Sequence, residues 1–168
     1  MTTARENLTS WLRDAYAMEG QAIELLEAQI KRLESYPEAL PRLREHLNET
    51  REQQTQVEQC LHRLGTDPST FKDAAMKFAA NVQGTLHAMS GDEVLKHGLG
   101  SYAFENFEAG CYESLMVAAE TAGEPDIART CQHIMEQELD MAAWVWDQLP
   151  HLTEKYLERA ATGAEAKR

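Results

Sequence analysis

The sequence predicts an all-α protein: a bundle of four long helices, with an additional short helix in the long crossover between the second and third. Three observations predict it. Four long stretches carry apolar residues three and four positions apart, the spacing of one helix face. Proline and glycine fall mainly at a few points between those stretches. The second and third stretches are separated by too much chain for a turn, whereas the other two joints are short, as in antiparallel hairpins. The 168 residues suit one domain. The bundle is expected over about 6–149, with a short C-terminal tail over 150–168.

The first helix is predicted from about Glu6 to Glu34. Leu12, Ala15, Glu19, Ala22, Leu26, Ile30 and Leu33 form its inward stripe, and Glu19 stands where a leucine is expected. Ser35-Tyr-Pro-Glu interrupts it, and Pro37 suits the first turn of the next helix. The second helix continues to Leu64, with Leu43, Leu47, Thr50, Val57, Leu61 and Leu64 facing inward. Beside that stripe runs a polar row of His46, Glu49, Gln53 and Cys60, with Glu49 at the edge of the inward face. Gly65-Thr-Asp-Pro-Ser ends the helix.

From about Ser69 to Met89, apolar residues at helical spacing predict the short crossover helix. The third long helix follows Ser90-Gly-Asp-Glu and ends at Gly123. Glu105, Glu108, Tyr112, Leu115 and Ala119 share one stripe, while Phe104, Phe107, Cys111, Met116, Val117 and Ala118 occupy the other faces. A helix apolar almost all round is expected to be central and buried. Pro125 opens the fourth helix, whose inward stripe is Ile127, Cys131, Ile134, Glu138, Met141 and Val145. Pro150 is expected to close it, with Tyr156 and Leu157 packing back ahead of a frayed, charged end.

Composition narrows the function classes. A net charge of −12 argues against nucleic acid, whose phosphates require a basic surface, and suits a protein that attracts cations. No apolar run reaches the roughly 18 residues of a membrane span. The Met-Thr-Thr-Ala-Arg-Glu start lacks the apolar core of a signal peptide. Three widely separated cysteines without a C-x-x-C read as reduced core residues, so a cytoplasmic location is expected. Gly98-Leu-Gly-Ser-Tyr-Ala103 fits a loose dinucleotide-loop pattern, but it lies inside a helical stretch with no preceding strand and reads as a site of close helix packing. Trp144 and Trp146 read as core and rim packing.

Chemistry resides in the misplaced carboxylates. Glu19 lies 15 residues before Glu34, and Glu49 lies 12 after Pro37. At about 1.5 Å per residue these depths agree within about 5 Å. Glu108 and Glu138 each lie 14 residues from the third turn, counted from Ala122 and Glu124. All four helices therefore offer a carboxylate near mid-height, the arrangement of di-iron and di-manganese carboxylate bundles. Buried, charged and unpaired, five glutamates could cost more than a domain's whole stability of about 5–15 kcal/mol. No Lys or Arg shares the inner stripes near Glu19, Glu105, Glu108 or Glu138. Protons or a hard divalent cation must neutralise them, and the cation does so with less loss. Glu19, Glu49, Glu105, Glu108 and Glu138 are the candidate metal ligands. His46, Gln53 and Tyr112 are candidate groups that hold those ligands in place.

The pieces Asp14-Ala-Tyr-Ala-Met-Glu19, His46-Leu-Asn-Glu49-Thr, Phe104-Glu-Asn-Phe-Glu108-Ala-Gly-Cys-Tyr112 and Thr153-Glu-Lys-Tyr-Leu157 resemble the bacterial YciE/YciF family of ferritin-like proteins, most closely its YciE branch. The resemblance spans nearly the whole chain in order. It implies a ferritin-like bundle, a homodimer and an association with bacterial stress responses, without fixing an activity. Glu105-x-x-Glu108 is also similar to the third helix of rubrerythrins, where both acids bind iron. Ferritin-like oxidases carry Glu-x-x-His on the second helix, and rubrerythrin-like ones on the fourth as well. Here Glu49 is followed at that spacing by Glu52 and Glu138 by Met141. Helical phase turns Glu52 outward, and a thioether suits a hard ion poorly. His46, one turn before Glu49, is either a substitute ligand or a plain hydrogen-bonding group.

Two functions follow from this reading. One is a ferritin-like protein whose iron or manganese site reacts with dioxygen or peroxide. The other is a stress-response interaction protein that keeps the fold without redox chemistry, favoured by the missing histidines.

Overall fold

A computed structural model of the protein describes residues 1–33, 35–66 and 92–164. The expected crossover helix over 69–89 lies outside them. The described residues form four long helices and no strand: α1 (Ala4–Arg32), α2 (Leu40–Arg63), α3 (Glu93–Thr121) and α4 (Pro125–Thr162). The all-α four-helix bundle read from the sequence is the observed architecture.

Helix α1 starts two residues earlier than its apolar stripe suggested, because Thr3 and Glu6 form a capping box. The Thr3 hydroxyl accepts from the Glu6 amide at 3.2 Å, and the Glu6 carboxylate accepts from the Thr3 amide at 2.7 Å. Two of the helix's orphan donors are thereby satisfied. Thr3→Ala should cost about 1 kcal/mol, read as a lowered denaturant midpoint at unchanged slope. Pro37 opens a one-turn 3-10 helix (Pro37–Ala39) that runs directly into α2. Helix α3 stops where expected. Gly123 adopts φ 75°, a conformation in which a Cβ is strained, and its amide and that of Glu124 close onto the carbonyls of Glu120 and Ala119.

The fourth helix departs from expectation, because Pro150 does not end it. Proline removes one helical hydrogen bond and crowds the preceding turn, a local cost of about 3 kcal/mol, but contacts beyond it hold the chain helical. Leu152 and Tyr156 pack on the core. The Lys155 ammonium lies 2.6 Å from a Glu38 carboxylate oxygen and 5.0 Å from the centre of the buried Tyr36 ring. Arg159 donates to the Ser35 hydroxyl at 3.1 Å. These residues cover the joint between α1 and α2. Gly163, at φ 73°, is the actual stop. Leu157, expected to pack inward, is exposed.

Helix α1 packs along α2 and α3 along α4, and the pairs join through α1 with α3 and α2 with α4. A Cβ on Gly98 would sit 3.2 Å from a Leu149 methyl and 3.3 Å from one of Leu152, so α3 and α4 do approach closely there. The core falls into two apolar clusters. One joins Leu8, Leu12, Val57, Leu61, Leu115, Ala119, Ile127 and Ile134 near one end of the bundle. The other joins Leu26, Tyr36, Leu43, Val94, Met141 and Val145 near the opposite end. The first cluster collects the start of α1 with the end of α2, and the end of α3 with the start of α4. Both hairpins are therefore antiparallel. Helix α3 is less enclosed than its composition suggested: it buries the Glu105–Ala119 stripe but leaves Leu99, Phe107 and Val117 about half exposed. No helix among the described residues is long and apolar enough to cross a membrane. Cys60, Cys111 and Cys131 are free thiols, the first and last of them buried.

Candidate metal centre

On α1, α3 and α4 the misplaced polar residues fall in sequence between the contributions to the two apolar clusters, and on α2 they begin with His46, one residue before Leu47. Glu19 comes from α1, His46, Thr50 and Gln53 from α2, Glu105 and Glu108 from α3, and Glu138 from α4, all essentially excluded from solvent. Each helix supplies them for the same local reason. A polar residue replaces an apolar one in a stripe whose neighbours, one turn up and one turn down, are core residues. The surrounding packing drags it inside.

His46 is the hub. Its Nε2 lies 3.2 Å from Glu105 Oε2 and 3.8 Å from Glu138 Oε2, and its Nδ1 lies 3.0 Å from Glu49 Oε2. One donor atom from each of His46, Glu105 and Glu138 falls within 4.8 Å of the other two, close enough to share an ion. Glu19 and Glu108 border the triad. The Tyr112 hydroxyl donates to Glu19 Oε1, while Glu19 Oε2, Glu108 Oε1 and Glu138 Oε2 are buried with no hydrogen-bond partner. Gln53 donates from Nε2 to Gln137 at 3.2 Å and leaves its own Oε1 unpartnered.

Burial governs the electrostatics. Desolvation pushes Glu19 up to about 8, against the lowering effect of the Tyr112 bond. It pushes Glu138 up to about 10, helped by repulsion from Glu105. Glu108 is raised well above the carboxylate range by desolvation and by the neighbouring Glu19, Glu138 and Glu105. Tyr112 is raised by burial and by the charge of Glu19. His46 behaves oppositely: desolvation disfavours its cation, but bonds to Glu105 and Glu49 overcome that and raise it to about 10. Glu49, bonded to His46 and Arg42 near the surface, is lowered to about 2. Without a cation, burial therefore favours the protonated carboxyl at Glu19, Glu108 and Glu138, while the bonds to Glu105 and Glu49 favour the imidazolium at His46.

Of the five glutamates expected as ligands, the structure gathers Glu105 and Glu138 around one imidazole and sets Glu19 and Glu108 in the same buried layer. Glu49 is placed differently. It is half-buried on the outer side of His46, with Oε2 engaged by Arg42 at 2.9 Å and by His46. On α2, then, His46 faces Glu105 and Glu138, and Glu49 lies on its outer side. Tyr112 reaches the layer as a donor to Glu19, whereas Gln53 is buried but donates to Gln137. Glu52 is exposed and Met141 fully buried, as helical phase indicated. Arg42 was missed altogether. The available signal was its spacing, since positions 42, 46 and 49 lie on successive turns of one helix.

Comparison with known proteins places the chain in a family. Residues 3–158 match the family model described as Domain of unknown function (DUF892), so the chain belongs to that family. A crystal structure of a protein from Xanthomonas campestris pv. campestris is 37% identical, with 94% of this chain and 98% of that chain covered and a TM-score of 0.80. YcfI from Rhodopseudomonas palustris shares the fold at 24% identity, with 86% of this chain and 93% of that chain covered and a TM-score of 0.73.

Proposed function

We propose that this member of the DUF892 family is a ferritin-like metalloprotein that binds iron or manganese in its bundle core and reacts there with dioxygen or peroxide. The observation that carries the reading is the set of unpartnered carboxylate oxygens. Glu19 Oε2, Glu108 Oε1 and Glu138 Oε2 are buried without a donor, in one layer with an imidazole nitrogen. A native core rarely leaves such atoms unmade, each costing roughly 1–3 kcal/mol or more when charged. One divalent cation in the triad, or two in the layer, would give these oxygens the positive partner they lack. Oxygen donors with one imidazole suit iron and manganese, and no thiolate among the described residues joins the group to favour softer ions.

In this reading His46, Glu105 and Glu138 hold one ion, and Glu19 and Glu108 supply the oxygens for a second or complete the shell of the first. Bound there, the metal would supply one-electron redox chemistry toward dioxygen or peroxide. The chain's own residues exclude water, since the layer is capped at both ends by apolar clusters, and Tyr112 fixes the rotamer of Glu19 through one of its two oxygens. The reading includes the homodimer and the bacterial stress role implied by the resemblance to the YciE/YciF family. Leu99, Phe107 and Val117 of α3 are half-exposed apolar side chains that such a dimer could cover.

A second reading, an interaction protein without redox chemistry, is favoured by His46 itself. As an imidazolium it offsets part of the acid charge without metal, bridging Glu49 and Glu105. Aerobic addition of Fe(II) separates the two. An oxidase site consumes dioxygen in proportion to the protein and develops ferric absorption, and Glu108→Ala loses both. Unchanged dioxygen in the wild type leaves only the interaction reading.

A further inference from the structure

Resting on the metal-centre reading, we infer that Glu49 and Arg42 are positioning residues that set the tautomer and ring orientation of His46, so that its Nε2 lone pair faces Glu105 and Glu138. Three observations carry this. Nδ1 and Nε2 of His46 have separate partners: Nδ1 faces Glu49 Oε2 at 3.0 Å, and Nε2 faces Glu105 Oε2 at 3.2 Å. Glu49 Oε2 is fixed in turn by the Arg42 guanidinium at 2.9 Å. Arg42, His46 and Glu49 all belong to α2, so one helix assembles the set whatever its neighbours do.

A neutral imidazole carries its proton on one nitrogen and its lone pair on the other. A carboxylate at Nδ1 keeps the proton there and leaves Nε2 as the donor atom. Such a carboxylate behind a ligating histidine also raises its basicity, and losing one typically costs roughly 10–100-fold in metal affinity. Arg42 has a second effect. Paired with Glu49 and lying 3.6 Å from Glu45, it stops the Glu49 carboxylate from turning outward to solvent. Glu49 thus acts through His46 and does not itself touch the ion. This assignment explains how a helix lacking the Glu-x-x-His spacing of ferritin-like oxidases can still offer a correctly oriented nitrogen: the acid and the histidine have exchanged order along the helix.

The test uses zinc, which is diamagnetic and redox-silent, on the full chain carrying 15N-labelled histidine. Long-range 1H–15N correlation spectra report the tautomer, with the His46 signals assigned by their loss in His46→Gln, and calorimetric titration reports affinity. In the wild type, His46 should show a protonated Nδ1 and a metal-shifted Nε2. Glu49→Gln keeps an acceptor and should keep the tautomer with a few-fold loss of affinity. Glu49→Ala should lose roughly 10–100-fold and show exchange-broadened ring signals. Wild-type affinity and an unchanged His46 spectrum in Glu49→Ala, with Glu138→Gln still impaired, would overturn the positioning role while leaving the metal site standing. The same role is overturned if zinc-bound His46 carries its proton on Nε2. Absence of zinc binding in the wild type would overturn the metal-centre reading and this inference with it. Glu49 is only half-buried, so the variants should fold, and the position of the proton in zinc-bound wild-type His46, on Nδ1 or on Nε2, decides the role should the alanine variant fail.

Discussion

Mn(II), or Fe(II) under anaerobic conditions, raises the melting temperature of the metal-free protein, and the rise grows between pH 6 and pH 8. A ligand that binds only the native state stabilises it by RT ln(1 + [L]/Kd), about 2.7 kcal/mol at a hundredfold excess over Kd. The pH dependence follows from the groups in the layer. Glu19 and Glu138 have folded values near 8 and 10, above the ordinary carboxylate value of 4.5. His46 lies near 10, above its ordinary 6.5. A group raised on folding contributes stability that is complete below its unfolded value and is lost as pH climbs through its folded value. The metal-free protein should therefore weaken steadily from about pH 5 toward pH 10. Glu49, lowered to about 2, contributes stability that is complete above pH 4.5 and is lost only as pH falls toward 2, so it adds no slope in this window. Metal replaces the protons that the layer otherwise needs, and uptake releases them. The loaded protein should then show a much flatter profile, with apparent affinity rising with pH. Glu108→Ala should abolish the increment. A melting point indifferent to metal and chelator across this range sinks the reading.

Much of this was legible in the sequence because it depended on periodicity. Glu19, Glu105, Glu108 and Glu138 each interrupt an apolar stripe, and a residue in such a stripe is taken into the core whatever its polarity; all four are buried. Their common level followed from helix rise and short hairpin joints, which the two-cluster core bears out. Helix α2 was harder. His46 and Glu49 are three residues apart, about 60° around the helix axis, and both lie at the edge of the apolar stripe. Phase alone could not say which turned inward. In the structure Glu49 is paired with Arg42 and the His46 ring is the group that reaches the acids. Pro150 misled for a related reason: a local rule was outweighed by tertiary contacts of Leu152, Lys155 and Tyr156. The Thr3-x-x-Glu6 capping box was present in the sequence, yet a boundary drawn from apolar spacing alone passes over it.

Glu138→Gln has opposite consequences with and without metal. Glu138 lies mid-stripe between Ile134 and Met141, 1% exposed, with Oε2 unpartnered and His46 Nε2 3.8 Å away. In the metal-free protein it is protonated up to about pH 10, driven by desolvation and by a bond shared with Glu105. Glutamine matches a protonated glutamate in shape and in being a neutral donor, so the metal-free variant should match the wild type below about pH 4.5, where the unfolded carboxyl is protonated as well. As pH rises above that the variant should gain on the wild type, because the folded wild type must keep a proton on Glu138 that the unfolded chain gives up, whereas glutamine carries no such cost. With metal bound the order reverses. An amide oxygen is a weaker, uncharged donor, and each tenfold loss in affinity removes about 1.4 kcal/mol of stabilisation at saturating metal. A glutamate that served only the fold, held charged by hydrogen bonds, would instead destabilise to the same extent in both states when changed to glutamine. The measurement is a pair of urea midpoints at pH 7.5, with Mn(II) and with chelator, for the wild type and Glu138→Gln. Equal losses in the two conditions identify Glu138 as a structural acid. A loss confined to the Mn(II) arm identifies it as a ligand.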